Sequence, residues 1–423
     1  MDVPYSEQLH NKDIAIREIY AGLCGKSLLD EMAIKPIIGT EDPYHYRDKV
    51  TSPFVGPKKA LRANGKSIEG RQETLKPKKH ASKPHGRGPA KSKGQRTEVI
   101  TGIYARNSHM VVPVKDCLLE NRIASKVIDS VRSIMEKHGI EPYDEDTGRG
   151  FMRNVVVRVG HRTDEVLVTL VTNSDEFPHS KSFCKELIAR VPECTSIVQN
   201  INTRQTNVIL GERFRKLYGP GFILDELCGL SFRISPGAFY QVNSTQTEVL
   251  YRKAIEMAAI EEGDCVLDAY CGTGTIGLVA CKERSNPLLG LDSSTPAIAD
   301  ARMNAKHNGI ENAVFITEDA TEFMQGLAVK PNDDERLEGF DLNNLIAFLD
   351  PPRSGATEEF LDALACLSPK RIVYISCNPK TQARDCKMLC DIGYEIAELQ
   401  PVDMFPHTPH IESIALLERR SGE

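Results

Sequence analysis

Two reactive side chains stand near the C-terminal end of the chain, in short runs that could perform covalent chemistry. Cys377 lies in a Ser-Cys-Asn-Pro run at residues 376–379, directly after an apolar stretch typical of a buried strand. Glu412 lies in a His-Ile-Glu-Ser run at residues 410–413. A thiolate is a nucleophile and a carboxylate is a base, so together they could form and then resolve a bond to a substrate. Taken singly, each has a plainer interpretation, an inert core cysteine or a solvated strand glutamate.

A glycine-rich turn predicts where a cofactor binds. Residues 268–277 read Asp-Ala-Tyr-Cys-Gly-Thr-Gly-Thr-Ile-Gly and join an apolar strand to a helix. The glycine spacing also fits a dinucleotide fold or a plain tight turn. Asp268 in front of the turn favours a ligand with an amino or cationic group, and Asp292, 20 residues after Gly272, could hold ribose hydroxyls. S-adenosylmethionine fits this set, and Asp319 after a third strand could add a polar contact to its adenine.

Methylation of a pyrimidine at carbon is a reaction that uses both a thiolate and a base. Uracil C5 is too weak a nucleophile to attack a methyl sulfonium, but addition of a thiolate to C6 makes an enolate whose C5 can attack. A base must then remove the C5 proton, and donors must stabilise the enolate oxygen. Cys377 would be the nucleophile and Glu412 the base; His410 could position Glu412 if both lie in one strand. Cytosine-C5 methylation also needs a cysteine and stays open.

An Asp-Pro-Pro-Arg-Ser-Gly run at residues 350–355 ends another predicted strand. Alone it could be a rigid turn. Amino-group methyltransferases often place an aromatic residue after the two prolines, where it stacks on the target base. Arg353 occupies that position here, which argues against N-methylation.

The elements that must position these residues alternate between short apolar strands and helices from about residue 241 onward. This pattern predicts a mostly parallel sheet in a doubly wound α/β domain, a class I, Rossmann-like fold. Ligands in such sheets bind at the carboxyl ends of the strands, where the residues described above fall. We place this domain at residues 231–423, starting from the Ser-Phe-Arg-Ile-Ser-Pro-Gly run at 231–237.

The preceding part of the chain predicts two further segments. Residues 1–40 carry isoleucines and leucines near helical spacing, which indicates an N-terminal helical segment. Residues 41–230 mix β-branched runs with two helical stretches, which indicates a central α+β domain. Residues 57–97 within it lack aliphatic periodicity, and we predict a disordered insertion there.

Composition excludes several classes of protein. A hydrophobic content of 40% over 423 residues excludes a wholly disordered chain. No apolar run approaches the roughly 18 residues that span a bilayer, and the N-terminus lacks the features of a signal peptide. The twelve cysteines include no C-x-x-C pair, so we expect buried thiols rather than disulfides. We therefore expect a soluble, cytoplasmic protein without a membrane partner.

At this point the sequence resembles the RNA uracil-C5 methyltransferase family, and most closely its bacterial 23S ribosomal RNA branch. The resemblance runs over almost the whole chain, except the insertion, and its most specific part is Cys377 with Glu412. The matching runs are Tyr46-Arg-Asp-Lys-Val, Phe239-Tyr-Gln-Val-Asn, 268–275, 350–355, 376–385 and 403–413.

The resemblance implies an S-adenosylmethionine-dependent RNA methyltransferase with Cys377 as nucleophile, Glu412 as proton acceptor and an RNA-binding central domain. It also implies a set of contacts to the cofactor: Gln241, Tyr270, Thr275, Asp292, Asp319 and Asp350. Gln241 and Thr275 would not have been chosen from spacing alone. A tRNA (uracil-C5) methyltransferase and a non-catalytic RNA-binding or folding factor are the alternatives.

The sequence departs from the family pattern in two respects. Many relatives carry an N-terminal RNA-binding barrel followed by three cysteines that, with a fourth, hold an iron–sulfur cluster. The sequence begins after those positions, and only the fourth has a counterpart, Cys117. One thiolate cannot hold a four-cysteine cluster, so we expect no metal. The missing barrel also weakens the ribosomal assignment, because tRNA-modifying relatives lack it too.

The net charge of −6 conceals an uneven distribution. Residues 57–97 contain thirteen Lys or Arg and two Glu, a charge of +11, which leaves −17 for the rest of the chain. Such a stretch could supply a salt-sensitive contact to RNA phosphates in place of the barrel. The plainer alternative is a solvated insertion with no such role.

Overall fold

A computed structural model describes residues 3–24, 33–61, 98–283, 286–330 and 334–420. The helices of this part are α1 (Tyr5–Cys24), α2 (Arg122–His138), α3 (Ser180–Arg190), α4 (Ser244–Ala258), α5 (Thr275–Cys281), α6 (Thr295–His307), α7 (Ala320–Val329), α8 (Glu358–Cys366) and α9 (Pro379–Asp391). The strands are β1 (Ala33–Ile34), β2 (Lys49–Val55), β3 (Ile100–Tyr104), β4 (Val111–Pro113), β5 (Met152–Val159), β6 (Val166–Thr172), β7 (Cys194–Ile201), β8 (Arg213–Tyr218), β9 (Ile223–Leu227), β10 (Leu230–Ile234), β11 (Cys265–Ala269), β12 (Leu288–Asp292), β13 (Ala313–Thr317), β14 (Leu345–Leu349), β15 (Arg371–Ser376), β16 (Tyr394–Val402) and β17 (Glu412–Arg419).

The described residues fall into two compact units. The larger unit lies within Met1–Tyr46, Gly160–Thr163 and Leu224–Glu423, and the smaller within Arg47–Val159 and Asp164–Ile223. None of the helices in the described ranges is both long and apolar enough to cross a membrane.

The larger unit contains an eight-stranded sheet with the order β1-β16-β17-β15-β14-β11-β12-β13. Strands β11 to β15 run parallel to one another, and β17 is inserted antiparallel between β15 and β16. All residues of β11 and β14 are buried, as expected of central strands covered on both faces. This confirms the predicted doubly wound, mostly parallel α/β fold.

Helices cover both faces of this sheet. One face packs against α1, α7, α8 and α9 through a buried cluster that includes Tyr20, Phe323, Phe360 and Leu389. Helices α4, α5 and α6 contact β11, β12, β13, β15 and β17 outside that cluster, on the opposite face. The site residues of this unit therefore lie at strand ends held between two helical layers.

The N-terminal residues belong to the larger unit, so the observed division differs from the predicted segment at 1–40. Helix α1 contacts α9, and β1 pairs in parallel with β16. The larger unit also resumes at Leu224, before the predicted boundary at 231. The reason is that β9 and β10 form a two-stranded ribbon that bonds to the end of α6. The Arg233 N–H donates to Asn304 in α6, and the Ser231 N–H donates to Asn308, which caps it.

The smaller unit is a seven-stranded sheet in the order β4-β3-β2-β5-β6-β7-β8. A buried cluster that includes valines of β5 and β6 packs against α2 and α3, which gives the predicted α+β architecture. Residues Pro57–Lys59 of the predicted insertion form a single 3-10 turn, and Ala60 bridges to Val111. The rest of the predicted insertion, residues 62–97, lies outside the described residues.

Candidate active site

The glycine-rich turn after β11 has the left-handed conformations that its composition favours. Tyr270, Gly272 and Gly274 have φ values of 65°, 56° and 76°. Gly277 in the first turn of α5 is required for a different reason: a Cβ there would lie 2.7 Å from Leu288 Cδ1. The helix can therefore approach the sheet closely, with the turn open at the carboxyl end of β11.

Asp268 lies beneath this turn and has one unpaired oxygen. Its Oδ2 accepts a hydrogen bond from the Gly277 N–H at 3.0 Å, whereas Oδ1 has no hydrogen-bond partner among the described residues. Burial raises the pKa of Asp268 to about 8, and the nearby negative charges of Asp350 and Asp292 add to this shift. A buried acceptor of this kind fits a ligand that brings a cationic amino group, as S-adenosylmethionine does.

Asp292 connects the first two loops of the site. Its Oδ2 accepts from the Gly272 N–H at 2.9 Å and its Oδ1 from the Ser294 N–H at 2.7 Å. A carboxylate has about four acceptor positions, so two remain to accept from ribose hydroxyls. Asp319 similarly caps α7 by accepting from Thr321 N at 2.9 Å, and its side chain is exposed.

Three other predicted cofactor contacts are Thr275, Tyr270 and Gln241. The Thr275 hydroxyl shares a hydrogen bond of 2.8 Å with the Tyr251 hydroxyl. The Tyr270 ring lies 5.3 Å from the Phe360 ring, centroid to centroid. Gln241 is 9% exposed, in the loop that leads into α4. These hydroxyl, carboxylate and aromatic groups are of the types that could contact S-adenosylmethionine.

Asp350 links the cofactor loops to the reactive side chains. It follows β14, and its N–H donates to the Ala269 carbonyl at 3.4 Å, because β14 lies next to β11 in the sheet. Burial raises the pKa of Asp350 to about 7. Its negative charge also contributes to the raised pKa of Glu412. Asp350 is therefore near both groups of predicted residues.

Cys377 and Glu412 lie close together at the end of an antiparallel strand pair. Ser376 and Ser413 are the last paired residues of β15 and β17, and Cys377 and Glu412 come one position beyond them. The charge of Glu412 acts on the Cys377 thiol, so the two side chains are neighbours. Glu412 is 2% exposed and Cys377 is partly buried. The structure therefore brings together the two residues that the sequence placed 35 positions apart.

The electrostatics of this pair depend on Arg353. Burial raises the pKa of the Cys377 thiol, the charge of Glu412 raises it further, and a hydrogen bond from Arg353 opposes both effects. Burial also raises the pKa of Glu412 well above its usual range, the charge of Asp350 adds to it, and Arg353 again opposes it. Arg353 thus favours the two charged forms that nucleophilic and base catalysis require.

The role of Arg353 beside Cys377 was missed from the sequence, where this residue served only to argue against N-methylation. Its backbone carbonyl accepts from Asn378 Nδ2 at 2.9 Å and from Thr381 Oγ1 at 3.3 Å. These bonds hold the loop after β14 against the loop after β15. The sequence did contain a signal for this contact. Arg353 follows one predicted strand and Cys377 follows the next, and adjacent parallel strands end at the same edge of a sheet.

His410 lies just before strand β17, not within it. Strand β17 begins at Glu412, so His410 precedes it, and the alternation of side chains along a strand does not apply. Its side chain is exposed, and its ring lies edge-on to Phe405 at 6.0 Å.

Comparison with known proteins agrees with this geometry. Residues 227–420 match the family model described as tRNA (uracil-5-)-methyltransferase. An uncharacterised RNA methyltransferase of Oceanobacillus iheyensis is 39% identical over 390 residues, which cover 92% of this chain and 74% of that protein. One of Halalkalibacterium halodurans is 34% identical over 422 residues, covering 99% of this chain and 80% of that protein. The chain belongs to the RNA uracil-C5 methyltransferase family.

A solved structure extends the likeness to the fold. The tRNA (uracil-54, C5)-methyltransferase of Pyrococcus abyssi, in complex with S-adenosyl-L-homocysteine, is 27% identical with a TM-score of 0.70. The match covers 98% of this chain and 84% of that one. As a member of this family the protein is an S-adenosylmethionine-dependent RNA methyltransferase, which confirms the predicted cofactor and the prediction that the substrate is an RNA.

Proposed function

We propose that this family member transfers a methyl group to C5 of a uridine in RNA through a covalent adduct between Cys377 and C6. The observation that carries the proposal is the nearness of Cys377, Glu412 and Arg353, just beyond the last paired residues of β15 and β17. S-adenosylmethionine supplies the electrophilic methyl group that becomes bonded to C5. A target uridine would have to leave its stack to reach a site so buried.

The residues of the reaction act in a defined order. The Cys377 sulfur, ionised with the help of Arg353, bonds to C6, and the electron pair of the C5–C6 double bond moves toward O4. After C5 has gained its methyl group, Glu412 accepts the C5 proton. The double bond then re-forms and the thiolate leaves. The raised pKa of Glu412 suits this role, because a stronger base removes a carbon-bound proton more readily.

The six predicted cofactor contacts are proposed to surround the methyl donor. Asp292 would accept from its ribose, and Gln241, Tyr270, Thr275, Asp319 and Asp350 complete the six. Asp268, which is not one of them, would support the site from beneath the turn.

For the RNA class we propose 23S ribosomal RNA, on the sequence resemblance described above. A tRNA is the second candidate, because the Pyrococcus abyssi neighbour acts on tRNA. Methylation of fractionated RNA from a strain lacking the gene separates them. The proposal expects 5-methyluridine in the 23S fraction, and 5-methyluridine confined to tRNA would reassign the substrate.

Trapping with 5-fluorouridine RNA tests the covalent step. Fluorine cannot leave C5 as a proton, so the wild-type protein should form a stable adduct with such RNA when the methyl donor is present. A denaturing gel detects the adduct as a band of increased mass. The proposed mechanism is overturned if no such band forms, or if the methylated nucleoside is a cytidine or an N-methylated base.

A further inference from the structure

A buried glutamine, Gln382 on α9, connects the strands that carry the nucleophile and the base. Its Nε2 donates to the Tyr374 carbonyl at 2.7 Å and to the Ser413 carbonyl at 3.1 Å. Its Oε1 accepts from the Ser413 hydroxyl at 2.6 Å and from the Tyr20 hydroxyl at 2.9 Å. An amide offers two N–H donors and two oxygen lone pairs, so its full hydrogen-bonding capacity is used.

The bonds of Gln382 lie where the backbone ladder between the two strands ends. Ser376 and Ser413 are the last paired residues of β15 and β17. Cys377 and Glu412 come one step beyond that pair, so no ladder hydrogen bond between the strands fixes their separation. The Gln382 amide bridges the strands at this end, through Tyr374 on one and Ser413 on the other.

Stability alone does not call for a polar residue at this position. Helix α9 buries Ala383, Cys386 and Leu389 in the apolar cluster beside Gln382. A buried amide beside such apolar side chains costs free energy unless every hydrogen bond is made. A fully bonded amide instead fixes the relative position of the elements it joins.

Helix α1 supports both ends of the segment between β16 and β17. Tyr20 bonds to Gln382, which in turn holds Ser413. Nearer the N-terminus, the Lys12 ammonium pairs with Asp403 Oδ1 at 2.6 Å, and Tyr5 donates to Asp403 Oδ2 at 2.9 Å. Both sides of the turn that leads into Glu412 are thus tied to one helix.

We propose that Gln382, supported by Tyr20, is a positioning residue that holds the base Glu412 at its working distance from Cys377. This inference rests on the proposed covalent mechanism. Gln382 makes two of its bonds to Ser413, the neighbour of Glu412, and only one to β15, three residues from Cys377. Loss of the amide therefore displaces Glu412 more than Cys377, so proton removal slows more than adduct formation.

The test compares Gln382→Met, which keeps the length of the side chain but removes its hydrogen bonds, with the wild-type full-length protein. A loss of geometry of this kind costs about tenfold to a hundredfold in rate. We expect kcat to fall by that factor while KM for RNA and for S-adenosylmethionine stays unchanged. Adduct should accumulate on ordinary uridine RNA, and trapping by 5-fluorouridine RNA should keep its wild-type rate.

Three further variants distinguish a positioning effect from a general loss of folding. Ser413→Ala removes one bond beside Glu412 and should accumulate adduct in the same way, and Tyr20→Phe should do so more weakly. Tyr394→Phe is the matched control, because it removes a buried tyrosine hydroxyl bond, to the Pro369 carbonyl at 3.0 Å, elsewhere in the same unit. It should leave the ratio of adduct to methylated product unchanged.

The outcomes separate the inference from the mechanism on which it rests. If methylation and fluorouridine trapping fall by one common factor in Gln382→Met and Ser413→Ala, the positioning role is wrong and the residue is only structural. An unchanged partition between adduct and product in both variants overturns it as well. If the wild-type protein itself traps no fluorouridine RNA, the covalent mechanism has failed, not the assignment of Gln382.

Discussion

The two halves of the site are built in different ways. The cofactor half, formed by the loops after β11, β12 and β13, uses carboxylates bonded to nearby backbone: Asp268 to Gly277 and Asp292 to Gly272, 9 and 20 positions apart. The reaction half, formed by the loops after β14 and β15 and the turn into β17, depends on long-range contacts. Tyr20 reaches Gln382 across 362 positions.

This difference predicts how each half of the site responds to a substitution. Local bonds re-form whenever the loop folds, so a change in the cofactor half should weaken one ligand without disturbing its neighbours. The reaction half needs several distant elements at once, since one antiparallel strand, β17, supplies the base. Its residues should therefore affect separate steps of the reaction, and substitutions can test whether they do.

The largest effect is expected for Cys377→Ala. Without the thiol no bond to C6 forms, so methylation should fall below detection, a loss of more than about a thousandfold. Transfer of labelled methyl groups to RNA measures it. Cys366→Ala, which changes an exposed cysteine at the end of α8, is the control and should keep full activity. Residual methylation at a tenth of the wild-type rate would contradict the nucleophile.

Glu412→Gln should have the next largest effect. Removing a general base costs about 10² to 10⁴ in rate, and the block comes after Cys377 has bonded to C6. A denaturing gel should therefore show protein covalently bound to ordinary RNA that contains no fluorouridine. Glu418→Gln, on the same strand but paired with Arg371 at 2.8 Å, serves as control. Loss of activity without adduct would show that Glu412 acts before or during thiol addition.

The division between the halves also explains how much could be predicted from the sequence. The turn at 268–277 and Asp292 were identified because strand, glycine spacing and acidic residue follow one another in the chain. Cys377 and Glu412 were identified by the resemblance and by the chemistry, but their nearness depends on an antiparallel pairing that no local pattern encodes. Gln382, Tyr20 and the Arg353 contact could not be predicted for the same reason.

His410 illustrates why the end of a strand is difficult to predict from the sequence. Alternation along a strand would have placed it beside Glu412, yet the strand starts only at Glu412. Strand ends are set by where the partner strands stop pairing, which is a tertiary property.

Arg353→Gln should produce a smaller effect that depends on pH. Arg353 lowers the pKa of both Cys377 and Glu412, so its loss raises both values. Each group must lose its proton to act, and the ascending limb of the rate profile should move to higher pH. A shift of one pKa unit costs about tenfold in rate below the limb and nothing above it.

Arg353→Lys keeps the positive charge and should restore most of that shift, although it loses the planar geometry of the guanidinium. The measurement is the rate of fluorouridine adduct formation across pH. A uniform loss at every pH would assign Arg353 to RNA binding or to folding instead.

The smallest effect on the reaction is expected for Asp268→Asn, which should instead change stability. The pKa of Asp268 is raised to about 8 in the folded protein, above the value of about 3.9 in an unfolded chain. Between these values the folded state holds a proton that the unfolded state has lost, so stability falls as pH rises. Asparagine can still accept from Gly277 and carries no charge. The melting temperature of the variant should therefore decline less than that of the wild type between pH 5 and 8.

Asp264→Asn provides the opposite case in the same unit. Asp264 is buried just before β11 but pairs with Lys370 at 2.8 Å, so its neutralisation should lower the melting temperature instead of flattening the pH dependence.

Because Asp268 lies in the cofactor half, the Asp268→Asn variant should weaken S-adenosylmethionine binding by about tenfold, the scale of one charged hydrogen bond. Trapping of RNA at saturating cofactor should be unaffected, since Cys377, Arg353 and Glu412 remain in place. A loss of trapping in that variant would mean that the two halves are coupled, and the contrast between local and long-range construction would not extend to function.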